Sequence, residues 1–360
     1  IRNIMATSGT PIQKPQQNSQ GNKTSGRKTI LQLLFLAFLV IGTIWIIRTQ
    51  NDTPFQKDSG EIFGTFYHIT YQSNEDLRPE IEAELNKVDA SLSPFNPKSI
   101  ITAVNDNKNI TVNEMFTQVF MLAERVSKET NGAFDITVAP LVNAWGFGTE
   151  GRKTPTKATI DSLRQLVGYQ KVALVNGHVK KSNPKMRLDC SAIAKGYGAD
   201  VVANFFKRKG IENYLIEIGG EVVTSGNSEK RVPWRIGVVK PSDDTLDVNE
   251  ETQTIINVTD KAMATSGNYR NFRYVAGKKF AHTIDPASGY PVQHSLLSAT
   301  VLANDCATAD AYATAFMAMG IDKAKKVLER HSELMAYFIY AGPKRDLKVW
   351  FSPALRSKIQ

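Results

Sequence analysis

Cysteine is scarce: two thiols, Cys190 and Cys306, in 360 residues leave no room for a disulfide-stapled miniprotein. Several familiar motifs are missing as well. No G-x-G-x-x-G follows a strand-like run, and there is no Walker A loop, H-E-x-x-H, C-x-x-C or G-x-S-x-G. Nicotinamide, P-loop, zinc and α/β-hydrolase chemistries therefore start without support. Runs of interleaved basic and aromatic residues are also lacking. The formal net charge of +9 overstates the basicity of the body, because Arg2, Lys14, Lys23, Arg27 and Lys28 supply five charges before residue 30, and nine less five leaves +4. Such a body offers little footprint for a nucleic-acid backbone. What remains is ordinary, 42% hydrophobic and 22% charged, enough to bury the core of one large domain or two smaller ones.

One apolar run stands out. Ile30 to Ile47 is an uncharged stretch of 18 residues; as a helix it would span about 27 Å against a hydrocarbon core of roughly 30 Å. Basic residues precede it, and Asp52, Asp58 and Glu61 follow, which places the N-terminus in the cytoplasm and exports the body. A cleaved signal peptide carries a shorter apolar region, about 7 to 15 residues, and a small-residue cleavage site. Nothing like A-x-A follows Ile47, and no Cys is placed there for a lipid, so an uncleaved anchor is expected. Residues 1–29, rich in Gln, Asn, Ser, Thr and Gly, read as a disordered cytoplasmic tail, 30–47 as the transmembrane anchor, 48–59 as a linker and 60–360 as the globular body.

Along the body, strand-like and helix-like segments alternate without a detectable repeat. Ile62–Tyr71 reads as a strand; Ile81, Leu85, Val88 and Leu92 recur at helical spacing, and a second helix runs from Asn113 to Thr130. Asn176-Gly177 between Val172–Val175 and His178–Lys180 signals a hairpin. A helix from Ala192 to Lys209 precedes a strand at Tyr214–Ile218. Extended segments then follow at Trp234–Val239, Thr254–Val258, Phe272–Val275, Phe280–Ile284 and Leu296–Leu302. After a helix at Ala307–Met319, Met335–Tyr340 and Leu347–Phe351 close the chain as strands. Strands grouped in runs with helices set between them predict an α+β fold of mixed sheets and interspersed helices, preceded by the single membrane helix.

Compact polar segments interrupt these apolar surroundings. They are Gly132-Ala133-Phe134-Asp135-Ile136-Thr137 with Trp145-Gly146-Phe147-Gly148, and Leu188-Asp189-Cys190-Ser191-Ala192-Ile193-Ala194-Lys195-Gly196-Tyr197-Gly198. Ser266-Gly267-Asn268-Tyr269-Arg270 and His282-Thr283-Ile284-Asp285-Pro286 follow, and Ala307-Thr308-Ala309-Asp310-Ala311-Tyr312-Ala313-Thr314 is the last. In this order the set resembles the ApbE family, the FAD:protein FMN transferases, from Phe63 to the last strand.

The resemblance implies an ApbE-like catalytic domain. Its members are periplasmic or membrane-anchored and use magnesium and FAD to attach FMN, through a phosphoester, to a Ser or Thr hydroxyl of a partner protein. Typical acceptors are subunits of membrane redox complexes. Carried over by position, the family pattern gives FAD contacts at Phe63, Phe95, Ala133, Phe134, Asp135, Asp189, Lys195 and Ile284, and a magnesium set at Ala192, Asp310, Ala313 and Thr314. Two positions depart from the pattern: Phe63 stands where Met is frequent before Gly-Thr, and Phe95 where Tyr is frequent, which removes a phenol hydroxyl.

The chemistry of these residues is compatible with that role. Asp310 and Thr314, four apart on a predicted helix, present oxygens from one face, as a hard cation requires; otherwise they are a helix-start acid and a core threonine. Lys195 at a helix start either meets a pyrophosphate, helped by free backbone N–H groups, or is a solvated lysine. Asp135 and Asp189 bind ribose or adenine donors or cap turns. His282, one of five histidines, ends a strand just before Asp285; it either takes the proton of an attacking hydroxyl or is a hydrogen-bonded structural histidine. The two residues form the catalytic pair of this reading. Cys190 and Cys306 could bridge in an oxidising compartment, but two buried thiols are expected, because a bridge would constrain the two segments that must hold the ion. The same site fits an FAD pyrophosphatase that passes FMN to water, and a flavin-binding protein without turnover is the reading from a different class.

Overall fold

The computed structural model describes residues 23–51, 53–149, 154–241, 251–268, 272–275, 278–344 and 346–359. The chain divides into two units, 1–53 and 54–360. In the first, helix α1 runs over Lys23–Asn51. It is long and apolar enough to cross a membrane over Gly26–Ile47, by length and composition, as a span or a signal sequence would be. Lys23 to Thr29 are helical, so this end of the expected tail is part of the helix; residues 1–22 lie outside the described residues.

The second unit is built on one eight-stranded sheet. Its strands are β1 (Phe55–Ile62), β2 (Thr65–Gln72), β3 (Tyr214–Ile218), β4 (Glu221–Ser225), β5 (Lys261–Gly267), β6 (Leu296–Ala303), β7 (Met335–Ala341) and β8 (Leu347–Phe351). They lie in the sheet in chain order, and every neighbouring pair is antiparallel. Two sequence boundaries change here. The segment expected as one strand from Ile62 is two strands joined by a tight turn at Phe63-Gly64. The expected linker 48–59 contains most of β1, which pairs with β2 from Phe55↔Gln72 to Ile62↔Thr65.

The helices enter as insertions between strands. Between β2 and β3 come α2 (Arg78–Leu92), α3 (Ile100–Asn105), α4 (Glu114–Glu129), α5 (Ala139–Ala144), α6 (Lys157–Arg164) and α7 (Ala194–Arg208). Helices α8 (Cys306–Met319) and α9 (Ile321–Leu328) lie between β6 and β7. The Asn176-Gly177 hairpin forms as expected, with positive φ at both residues, as its tight turn requires.

Period-two alternation divides the central strands between two cores. Ala264, Ala299, Val301, Ala303, Ala336 and Phe338 face α8, whose Phe316 ring meets Phe338 edge-on at 5.7 Å. Met263, Leu302, Met335, Tyr337 and Ile339 face the other way. They pack on Val238, Ile256 and Val258 of the hairpin Trp234–Val239/Thr252–Val258 and on Leu355. Small alanines on the helical side let α8 settle close to the sheet. Burying Phe316 and Phe338 contributes roughly 1.5–3 kcal/mol each.

Candidate active site

Helix α8 is apolar on every side because it is buried on every side: Ala309, Ala311, Ala313, Ala315 and Phe316 have no exposed surface. Asp310 sits in the middle of it, 2% exposed, so its carboxylate needs partners inside the protein. They come from α7. The Gly196 N–H donates to Asp310 Oδ2 at 3.1 Å, and the Lys195 ammonium lies 3.8 Å from the same oxygen. Glu221, first residue of β4, brings a second carboxylate, with Oε1 3.4 Å from Lys195 Nζ.

Close backbone approaches make this cluster possible. A Cβ at Gly196 would stand 2.4 Å from the Cys306 carbonyl oxygen, so α7 and α8 meet at a distance that only glycine permits. Gly219 and Gly220, both at positive φ, turn β3 into β4 in two residues. A Cβ on Gly219 would lie 2.8 Å from Thr65 Cγ2 and 3.2 Å from Lys195 Cδ; the lysine stem passes where a side chain would otherwise be. The start of α8 is clamped from two directions. Asp305 accepts the Thr308 N–H at 2.8 Å, and Asp200 of α7 accepts the N–H groups of Cys306 and Ala307, each at 2.8 Å.

The electrostatics follow from burial. Desolvation works against the Lys195 charge, but Asp310 and Glu221 outweigh it and hold the amine above its usual range. Burial pushes Glu221 upward, Lys195 pulls it back and Asp310 adds to the rise. Asp310 is likewise pushed up by burial, against the pull of Lys195 and the Gly196 N–H. Two carboxyl groups thus face one ammonium, a surplus of acid that favours a cation or a proton. Thr314, one turn beyond Asp310, has Oγ1 3.2 Å from Ser266 Oγ on β5. Tyr269 and Arg270 of that motif lie outside the described residues.

Phe63 belongs to the same region. It and Gly64 form the two-residue turn between β1 and β2 with φ of 53° and 74°. Holding a non-glycine residue there costs about 1–3 kcal/mol. The turn lays the ring on α7, where a Cβ at Gly198 would be 2.7 Å from it. Helix α7 itself contributes fewer free donors than its sequence suggested. The Ala194 N–H goes to the Cys190 carbonyl and the Gly196 N–H to Asp310, so the expected aid from loose N–H groups is largely taken up.

A second group of motif residues forms loops. Asp135 Oδ1 accepts the Thr137 N–H and hydroxyl at 2.8 and 2.7 Å, and its Oδ2 accepts the Tyr169 N–H at 2.8 Å. Burial pushes this carboxyl up, and those three donors pull it down. Its side chain therefore organises the loop, a task that the sequence left undecided. Phe134 is buried in the main core, with Ala133 half-buried beside it. Asp189 joins this loop through its N–H to the Ile136 carbonyl at 2.7 Å, while its Oδ1 accepts the Ser191 N–H at 2.8 Å just before the half-buried Ala192.

Ile284 packs with Leu141 and Trp145, and the Trp145 indole donates to the Gly289 carbonyl at 2.9 Å. Asp285 uses its two carboxylate oxygens on the amides of Ala287 and Ser288, at 3.0 and 3.2 Å. That is a turn-building task not foreseen from sequence. His282, half-buried, has its ring 6.4 Å from Phe147 in an edge-on arrangement. Phe95 stands 66% exposed in the loop between α2 and α3. Both cysteines are buried and free, as expected. Among the described residues no three His, Cys, Asp or Glu gather as a metal cluster. Sequence reading missed Glu221 and Gly219; the Gly219-Gly220-Glu221 run was the available signal.

The comparisons with known proteins bear on the family and the fold. The model of the ApbE family matches residues 63–338. Over 307 residues the chain is 37% identical to the FAD:protein FMN transferase of Haemophilus influenzae, covering 81% of this chain and 88% of that one. The FAD:protein FMN transferase of Vibrio cholerae is 38% identical over 282 residues, covering 75% and 83%. Among solved structures, the flavin transferase ApbE from Vibrio cholerae matches with a TM-score of 0.77 at 34% identity, covering 85% of this chain and 99% of that one. The apo form of the Pseudomonas stutzeri flavinyl transferase ApbE matches with 0.75 at 29%, covering 85% and 97%. The matched stretch takes in every residue of the site from Phe63 to Thr314, and on these grounds the chain belongs to the ApbE family.

Proposed function

We propose that this enzyme transfers FMN from FAD to a Ser or Thr hydroxyl of a partner protein and releases AMP. The observation that carries the reading is Lys195, kept charged between Asp310 and Glu221 while 26% of its side chain stays open, in a chain whose relatives are named FAD:protein FMN transferases. An ammonium so placed suits a pyrophosphate. Phe63 offers an aromatic face above α7, and Phe95, Ala133, Phe134, Asp135, Asp189 and Ile284 complete the proposed flavin contacts.

Magnesium fits the donors present. Asp310, the Thr314 hydroxyl and the main-chain carbonyls of Ala192 and Ala313 are hard oxygens in a region with more acid than base. When bound, the ion supplies positive charge to the phosphates. In the transfer, the acceptor oxygen forms a bond to the FMN phosphorus, the bond from that phosphorus to the bridging oxygen breaks, and AMP leaves with the electron pair. His282 takes the hydroxyl proton, a contribution of about 10²–10⁴-fold for a placed base, and Asp285 shapes the loop that carries it.

The N-terminal helix supports a single-pass anchor in the inner membrane with the catalytic unit on the periplasmic side, since Arg27 and Lys28 precede the apolar run. An acceptor in a membrane redox complex would then share the same surface. Incubation with FAD, magnesium and a candidate acceptor, read by mass spectrometry, tests the proposal. An FMN adduct on Ser or Thr with stoichiometric AMP is expected. Free FMN and AMP without an adduct would identify a pyrophosphatase, and intact FAD a binding protein.

A further inference from the structure

Glu221 is absent from the motif set, yet it stands beside Lys195 almost as enclosed as Asp310. Its side chain is 4% exposed, Oε1 faces the ammonium at 3.4 Å, and Oε2 has no hydrogen-bond partner. A carboxylate that served only the fold would have both oxygens satisfied, as Asp200 does at the start of α8. The local backbone also favours this lysine. Gly219 leaves the space through which the Lys195 stem passes, and the two-residue glycine turn sets Glu221 at the first position of β4, paired with Ile218. Asp310 lies beyond at 3.8 Å, so the ammonium is held between two acids, neither close enough to immobilise it in a short hydrogen bond.

We propose that Glu221 is a positioning residue for Lys195, holding the ammonium aimed at the phosphates of a bound dinucleotide. The inference rests on the reading of Lys195 as a phosphate contact. An ammonium carries three donors. With two acids on its inner side, the third donor is left for the open side, where a phosphate oxygen completes the set. Without Glu221, the amine would turn toward Asp310, its remaining anionic neighbour, and away from the ligand.

Fluorescence titrations of the full chain with FAD and with riboflavin, which has no phosphate, test this. Glu221→Gln keeps the size and an acceptor oxygen but removes the charge. It should weaken FAD binding at least ~10-fold, the loss typical of disturbing a group that orients a direct contact, and leave riboflavin affinity unchanged. Glu221→Asp should recover part of the loss. In a Lys195→Met background the further Glu221→Gln change should have no effect on FAD affinity, because the residue acts through the lysine. Equal weakening of both flavins, or full additivity with Lys195→Met, would overturn the positioning role while leaving the flavin site standing. Failure of the unaltered chain to bind either flavin would overturn the site reading and this inference with it.

Discussion

Gly196 and Asp310, 114 residues apart in sequence, are joined by a backbone N–H to carboxylate bond of 3.1 Å at the closest approach of α7 and α8. A Cβ on Gly196 would stand 2.9 Å from Asp310 Cβ as well as 2.4 Å from the Cys306 carbonyl. On an isolated helix Gly→Ala is favourable by about 1 kcal/mol. Here the added carbon meets backbone that cannot swing aside, and overpacking costs about 1–3 kcal/mol. Gly196→Ala should therefore lower the melting temperature and, by forcing the helices apart, abolish transfer. A variant as stable and active as the parent would show that the helices can separate freely.

Asp310→Asn preserves an acceptor for the Gly196 N–H but removes the charge. Magnesium affinity and turnover should fall by ~10–100-fold, as on disturbing a metal shell. The direct measurement is the magnesium dependence of AMP release, and an unchanged half-saturation concentration would move the cation elsewhere.

His282→Ala should abolish the FMN adduct on the acceptor and leave FAD affinity within about 3-fold, since the imidazole acts on the nucleophile and general-base losses fall on turnover. Mass spectrometry of the acceptor and a flavin titration read the two effects separately. An adduct formed at the normal rate would remove His282 from the chemistry.

Removing α1 should leave an active unit, but the cut matters. Asp58 on β1 is buried, accepts the Tyr71 hydroxyl at 3.0 Å and pairs with Arg78 at 3.1 Å. A chain starting at Pro54 keeps these bonds; one starting at Ser59 leaves the buried Tyr71 hydroxyl without its acceptor, a loss of about 1–3 kcal/mol. Thermal unfolding of the two should place the shorter one lower. Equal melting temperatures would mean that the front half of β1 contributes nothing.

A pH effect on stability is expected from His294. Its Nε2 donates to the Met317 carbonyl at 2.8 Å, and burial holds the ring below its usual range despite that bond. The unfolded chain therefore binds the proton more readily than the folded one. This contribution is full above about pH 6.5, the unfolded value, and is lost as pH falls toward the lower folded value. His294→Gln should flatten that part of the stability profile in urea titrations between pH 5 and 7.5. An unchanged slope would assign the acid sensitivity to other groups.

The sequence by itself determined what is local. The apolar run of α1, the helical spacing of Ile81, Leu85 and Val88, the Asn113 cap that accepts the Phe116 N–H, and the Asn176-Gly177 turn are all written within a few residues. The motif order also pointed to the family before any strand was placed. Strand β1 was illegible because Phe55-Gln56-Lys57-Asp58-Ser59-Gly60-Glu61-Ile62 is polar, as suits a strand at the sheet edge, and has the composition of a linker. Tertiary structure alone separated residues of identical chemistry. Asp135 and Asp285 turned inward to their own loops, whereas Asp310 met Lys195 across two helices, because a carboxylate's role depends on which distant N–H or ammonium packing brings to it. Glu221 became visible only when two glycines folded β4 back beside the lysine; its meaning lies in a contact that no local pattern encodes.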